Sequence, residues 1–199
     1  MAALQQAVVK LSQGRAALTV IPIPELRDDY ILVKTIAVAL NPTDWQTVDE
    51  ASKPGTPRLL LGCDFAGVVV EVGKDVTKNF KTGDRICGAV HGGKTFIFIN
   101  LNEDANLFQG NDLEPEDGAF AEYIVVKGDV ALHIPSNLSF EDASTLGCGI
   151  FTICLGLYHH LQFPTLEFPL PERTIEGPLL LIYGGSTATG TLAIQFAKL

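Results

Sequence analysis

Apolar and polar positions alternate in short runs over the first two thirds of the chain, then give way to helical spacing. Residues 7–11 and 16–21 predict two strands joined at Gly14, with Pro22 and Pro24 ending the second. Ile31, Val33, Ile36 and Val38 mark a longer strand over 30–40, which Asn41-Pro42 breaks. Pro42 keeps Asn41 out of the helical region, and Asp44 adds negative charge where a short helix begins. In 62–73 a β-branched run surrounds Gly67, the mark of a bulge or a close backbone approach. A turn at 81–85 leads to a strand over 86–90, and 118–127 and 131–134 predict two more. Some seven short strands with glycine turns read as a small β-barrel.

The period changes after Pro135. Ser139, with Asp142 three residues on, is an N-cap signature. Gly147-Cys148-Gly149 interrupts that helix, and Ile150, Ile153, Leu157 and Leu161 place one apolar stripe on its continuation. A proline-rich loop follows over 162–178. Residues 179–183 are apolar throughout, as a strand buried on both faces would be. Residues 184–190 form a turn of small residues, and Ala193, Ile194, Phe196 and Ala197 recur at helical spacing. Strand, glycine turn and helix open a dinucleotide-binding unit, whose backbone N–H groups and helix N-terminus receive a pyrophosphate. Gly184 and Gly190 hold the outer places of a G-x-x-G-x-x-G turn; Thr187 holds the middle one. Ser186, Thr187 and Thr189 offer hydroxyls in compensation. The other reading is an ordinary strand-to-helix turn.

Composition narrows the setting. The net charge of −9 argues against a nucleic-acid or anionic-membrane surface. No apolar stretch nears the ~18–20 residues of a membrane span, and residues 1–6 lack the marks of a signal peptide. Cys63, Cys87, Cys148 and Cys154 form no C-x-x-C pair, which fits reduced thiols in a cytoplasmic protein.

Three segments in order resemble the medium-chain dehydrogenase/reductase superfamily: 62–73 its G-x-D-x-A-G-x-V-x-x-V-G signature, 83–86 its G-D-R-V turn, and 118–123 its G-[AG]-F-A-E-Y strand. The resemblance implies a mixed α/β chain, with a GroES-like β-barrel over 1–135. Over 136–199 it implies connecting helices and the first strand and helix of an incomplete Rossmann, doubly wound parallel domain. Asn41-Pro42-Thr43-Asp44-Trp45 and Gly184-Gly185-Ser186-Thr187-Ala188-Thr189 are most similar to the zinc-free fungal trans-acting enoyl reductases. These use NADPH to reduce the α,β-double bond of a polyketide held on a partner polyketide synthase. The resemblance therefore implies cofactor contacts from Thr43, Asp44, Trp45 and Gln46 and from Gly184, Gly185, Ser186, Thr187, Ala188 and Thr189. It makes Thr152 the candidate catalytic hydroxyl, the alternative being an ordinary helix residue. Ile153, Gly156, Leu157 and His160 would meet an enoyl thioester chain. The family ends its first turn in lysine; Gln46 removes that cation. A zinc-free quinone oxidoreductase of the same superfamily and an inactive barrel module are the rival readings.

A catalytic zinc of the alcohol dehydrogenase kind needs three ligands. Thr43 or Asp44 stands at the first, Cys63-Asp64 replaces the His-Glu pair, and Cys148 alone is retained, so no metal is expected. His91, His133, His159 and His160 have no nucleophile at a recognisable spacing. Asp64 reads as a structural carboxylate or as a catalytic acid.

Two features depart from the family pattern. Residues 94–109, rich in Phe, Ile and Asn, stand between the strand end at 90–92 and the short acidic loop 111–117 and read as a translated retained intron or as a genuine insertion. The chain ends at Leu199, one helix into the nucleotide unit, which reads as a truncation. The residue about 20 positions past the turn that separates NAD from NADP would fall beyond it, so NADPH enters only through the resemblance.

Overall fold

A computed structural model describes residues 3–51, 58–90, 115–166 and 179–199. The interruption expected at 94–109 lies outside the described residues. Two compact units divide between Gly147 and Cys148.

In the first unit, β1 (Leu4–Ser12) and β2 (Arg15–Pro22) form the expected hairpin, with Gly14 at φ 70° in its turn. β1 lies between β2 and the two-residue β4 (Leu59–Leu60). A five-stranded sheet runs β7-β3-β5-β6-β8, from β3 (Tyr30–Ala39), β5 (Asp64–Val72), β6 (Arg85–Ala89), β7 (Tyr123–Lys127) and β8 (Ala131–His133). Every pairing among the described residues is antiparallel. Phe65, Ile31, Val33, Leu60, Ile86 and Ile124 fill the space between the sheets, all essentially buried. Each such side chain contributes about 1.5–3 kcal/mol of transfer free energy.

The β3–β5 register slips between Leu32 and Val33 and again between Thr35 and Ala37, opposite Gly67. A Cβ on Gly67 would lie 2.3 Å from the Lys34 carbonyl oxygen. The bulge read at Gly67 is thus a close approach of two backbones.

The stretch 118–127 is not one strand. Only Tyr123–Lys127 pairs along β3. Before it, Ala119 and Phe120 donate to the carbonyls of Gly62 and Leu61 (2.9 and 2.8 Å), and Val8 donates to Phe120 (2.8 Å). The backbone there crosses from one sheet to the other, so its hydrogen bonds are shared among three partners instead of one ladder. Arg27 secures the start of this crossing: it bonds Asp117, which is 3% exposed, and lies 3.7 Å over the Tyr30 ring.

Ser139 caps α2 (Phe140–Ser144), accepting from the Asp142 N–H at 3.0 Å. Ala143 of α2 packs with Ala66, Cys87 and Ile134, so this helix belongs with the sheets. α3 (Gly147–Cys154) begins at the glycine cluster read as an interruption. A wider π-helical turn, Leu155–His160, continues it. Leu161 N–H reaches back five residues to Gly156 (3.0 Å). That extra residue rotates Leu161 off the expected stripe: Leu157 is buried, while Leu161 is 60% exposed.

In the second unit, α4 (Ala188–Phe196) follows the glycine turn as predicted. Residues 179–182 lead into it without regular secondary structure or a strand partner among the described residues, and Tyr183 already belongs to the turn. Leu179, Leu181 and Tyr183 point to solvent while Leu180 and Ile182 are half-buried. The period of two is that of a strand, but strand identity needs hydrogen-bonded neighbours.

Candidate functional site

α1 (Pro42–Asp49) carries the first group of candidate residues. Asn41 has extended backbone (φ −121°, ψ 152°), as the following proline requires, and forms a capping box with Asp44. Asn41 N–H donates to Asp44 Oδ2 at 2.7 Å. The Asn41 side-chain amide donates to Asp64 Oδ2 at 2.8 Å, and Asp64 is 2% exposed. Thr43 Oγ1 lies 3.6 Å from Cys63 Sγ. Thr43, Asp44 and Gln46 are half-buried; Trp45 is 60% exposed. Asp64 therefore anchors the helix start, the structural role read for it in the sequence. Gly147 packs closely against this group: a Cβ there would lie 2.2 Å from Gly88 O and 2.6 Å from Asp64 Oδ1.

Burial raises the carboxyl pKa of Asp44 above its ordinary value. The negative charge of Asp64 adds to the rise, while the Asn41 N–H and the Cys63 thiol oppose it. Asp44 Oδ1 is closed off from water and meets no N–H or O–H donor. A raised native pKa means that stability is fully present below the unfolded carboxyl value and is lost as pH rises through the native one. Asp44→Asn keeps an acceptor for Asn41 and removes the charge. It should melt above the parent protein at pH 7, with the gap shrinking as pH is lowered through the native value. Thermal melts from pH 3 to pH 8 check this; a constant gap would show that charge burial is not the cause.

The second unit holds the other candidates. Thr152, on α3, is exposed and its hydroxyl donates to the Cys148 carbonyl at 2.7 Å. Ile153 ends α3 with Cys154; Gly156, Leu157 and His160 lie on the π-helical turn. Of these four, Leu157 is buried, Ile153 and Gly156 are half-buried, and His160 is exposed.

The turn 184–190 is built on its outer glycines. Gly184 has φ 81°. A Cβ on Gly190 would lie 2.1 Å from the Gly184 carbonyl oxygen. Thr187 fills the middle place and locks the turn: its Oγ1 donates to Gly184 O (2.8 Å) and accepts from Gly190 N–H (3.0 Å), capping α4. Ser186 and Ala188 are exposed, and Gly185 and Thr189 are half-buried. A tight turn feeding a helix N-terminus fits the phosphates of a dinucleotide. The Thr187 side chain covers the place where a middle glycine would let the backbone approach, so Ser186, Thr189 and the first N–H groups of α4 remain as donors.

Asn41 and Asp64 brace the α1 residues. Asparagine before proline, with aspartate three residues on, is the signal that marks the brace; the partner across 23 residues has no local signal. Among the described residues, no three His, Cys, Asp or Glu side chains gather as a metal site. No helix of the described residues is long and apolar enough to cross a membrane.

The family model of the alcohol dehydrogenase GroES-like domain matches residues 27–136. The chain is 48% identical over 205 residues to the trans-enoyl reductase resD of Aspergillus sclerotiorum, covering 98% of this chain and 51% of that protein. It is 50% identical over 196 residues to the trans-enoyl reductase TOXD of Cochliobolus carbonum, covering 98% and 58%. It thus spans about half the length of these relatives. Among solved structures it is similar to an alcohol dehydrogenase superfamily protein from Novosphingobium aromaticivorans, with a TM-score of 0.72, 25% identity, and 97% of this chain and 50% of that one covered. A quinone oxidoreductase from Coxiella burnetii aligns with a TM-score of 0.65 and 25% identity, over 98% and 54%.

Proposed function

The chain belongs to the alcohol dehydrogenase GroES-like domain family, and on that premise we propose that it serves NADPH-dependent reduction of an enoyl thioester carried by a polyketide synthase. The observation that carries this reading is near-half identity to proteins named trans-enoyl reductases, extending through both α1 and the 184–190 turn.

The residues supply binding and orientation. Ser186, Thr189 and the α4 N-terminus present donors to phosphate oxygens. Thr43, Asp44, Trp45 and Gln46 are the proposed cofactor contacts on α1, whose start is held by the Asn41–Asp64 bond. When bound, NADPH would supply a hydride to the β-carbon of the enoyl group. Negative charge developing on the thioester oxygen needs a donor, and Thr152 is the candidate. Its proton is engaged with Cys148 O, so donation to substrate requires that bond to be exchanged. Ile153, Gly156, Leu157 and His160 are the proposed acyl contacts. Gln46 stands in place of the family's lysine and supplies no cation to phosphate or to the developing oxyanion, so restoring lysine there should raise turnover.

The test joins these 199 residues to the remainder of resD and measures NADPH oxidation with a short enoyl thioester and with a benzoquinone. Thioester turnover above quinone turnover is expected, with the 199 residues alone giving none. Preference for the quinone would support the quinone oxidoreductase reading and overturn ours.

A further inference from the structure

Lys10 is a buried charged residue that no proposed step employs. It sits on β1, the central strand of its sheet, paired to Ala16 on one side and Leu59 on the other. A lysine beside a hairpin turn ordinarily reaches solvent, yet Lys10 is 5% exposed. Its Nζ donates to the carbonyls of Thr47 (2.7 Å) and Glu50 (2.8 Å), at the C-terminal end of α1.

That helix end lacks a basic residue of its own in its last turn, and its carbonyls carry the negative end of the helix dipole. The barrel answers them from outside. Gly14 N–H donates to Val48 O at 2.8 Å, Lys10 takes Thr47 O and Glu50 O, and Glu50 N–H returns to Gln46 O at 3.0 Å. Asn41 and Asp64 hold the other end. α1 is only eight residues long, too short to be stable by itself in water. Where Thr43, Trp45 and Gln46 point is therefore set by what grips the two ends.

We propose that Lys10 is a positioning residue that clamps the C-terminal end of α1 to the barrel and so fixes the orientation of Thr43, Trp45 and Gln46 toward the nucleotide. The link to the nucleotide rests on the function proposed above; the clamp itself does not.

Trp45 is the sole tryptophan of the chain and lies on α1, 60% exposed, so its emission reports this helix alone. Lys10→Met preserves the aliphatic bulk and removes the donors. It should lower the Trp45 fluorescence anisotropy and speed amide exchange over 45–50 on the order of tenfold, with exchange in β5 unchanged. Lys10→Arg, which retains donors, should restore both signals; it also serves as the sole comparison if Lys10→Met does not fold, parent-like signals then being the expected result. In the protein extended with the resD remainder, Lys10→Met should raise KM for NADPH while leaving kcat nearly unchanged. Unchanged anisotropy and exchange in a folded Lys10→Met protein, or lost signals in Lys10→Arg, would overturn the clamp. If the extended parent protein does not oxidise NADPH at all, the functional reading falls while the Trp45 signals still decide the clamp. A loosened α1 with KM unchanged would leave Lys10 a merely structural residue and overturn the positioning role.

Discussion

Gly67→Ala is expected to lower the melting temperature of the barrel by roughly 6–12 °C. The added methyl would sit 2.3 Å from Lys34 O and 2.6 Å from Val33 Cγ1. The first of these is backbone, held in the β3–β5 ladder on one side and the β3–β7 ladder on the other. It cannot swing away as a side-chain tip would, so two strands must separate. Overpacking of this kind costs about 1–3 kcal/mol, and the backbone contact puts the cost at the upper end. Each kcal/mol moves the melting point about 2–4 °C in a protein of this size. Val33, Phe65 and Val69 are buried on either side of the contact, so spreading the strands also loosens the central core. A calorimetric scan decides it: a fall of less than about 2 °C would mean that the strands relax freely there.

The same residue shows why some of this fold was legible in the sequence. Gly14, Gly67, the Asn41-Pro42 turn and Ser139 each impose a local backbone demand, and a local demand leaves a local mark. The stretch 118–127 reads as one strand because alternation records only which side chains face inward. It does not record that the backbone changes partners at 118–121. The π-helical turn at Leu155–His160 is equally hidden, since one inserted residue in an apolar helix leaves the composition unchanged. β4, two residues long, has no period to detect.

The site divides along the same line. The turn 184–190 and its cap are contiguous and could be read directly, down to Thr187 in the middle place. Lys10 and Asp64 act on α1 from strands 37 and 23 residues from their partners. Lys10 bonds the carbonyls of Thr47 and Glu50 from 37 and 40 residues away, a spacing that leaves no local mark. The resemblance to a known family proposes α1 residues as cofactor contacts, yet carries nothing about what holds them.

Gly190→Ala is expected to remove most nucleotide-dependent activity, while Gly185→Ala retains it. At Gly190 the new Cβ would fall 2.1 Å from Gly184 O, 2.9 Å from Gly184 C and 2.9 Å from Gly185 Cα. All three are backbone atoms, and ordinary contact begins near 3.4 Å, so the turn must open by about 1.3 Å, the difference between 3.4 and 2.1. Thr187 Oγ1 spans the same gap, bonding Gly184 O and Gly190 N–H, and opening the gap breaks one or both bonds. The α4 cap goes with them, at about 1 kcal/mol. The donors of Ser186, Thr189 and the helix N-terminus then lose their common aim. Misplacing a binding group by about 1 Å costs on the order of 10²-fold in rate. At Gly185 a Cβ would meet only Ile194 Cδ1, at 3.1 Å, the free end of a side chain that gives way by a few tenths of an ångström. The comparison is kcat/KM for NADPH in the protein extended with the resD remainder, with circular dichroism to verify that both variants fold. A loss of about two orders of magnitude for Gly190→Ala against a change of less than about threefold for Gly185→Ala is expected. Equal values for the two variants would mean that the turn does not cradle the nucleotide.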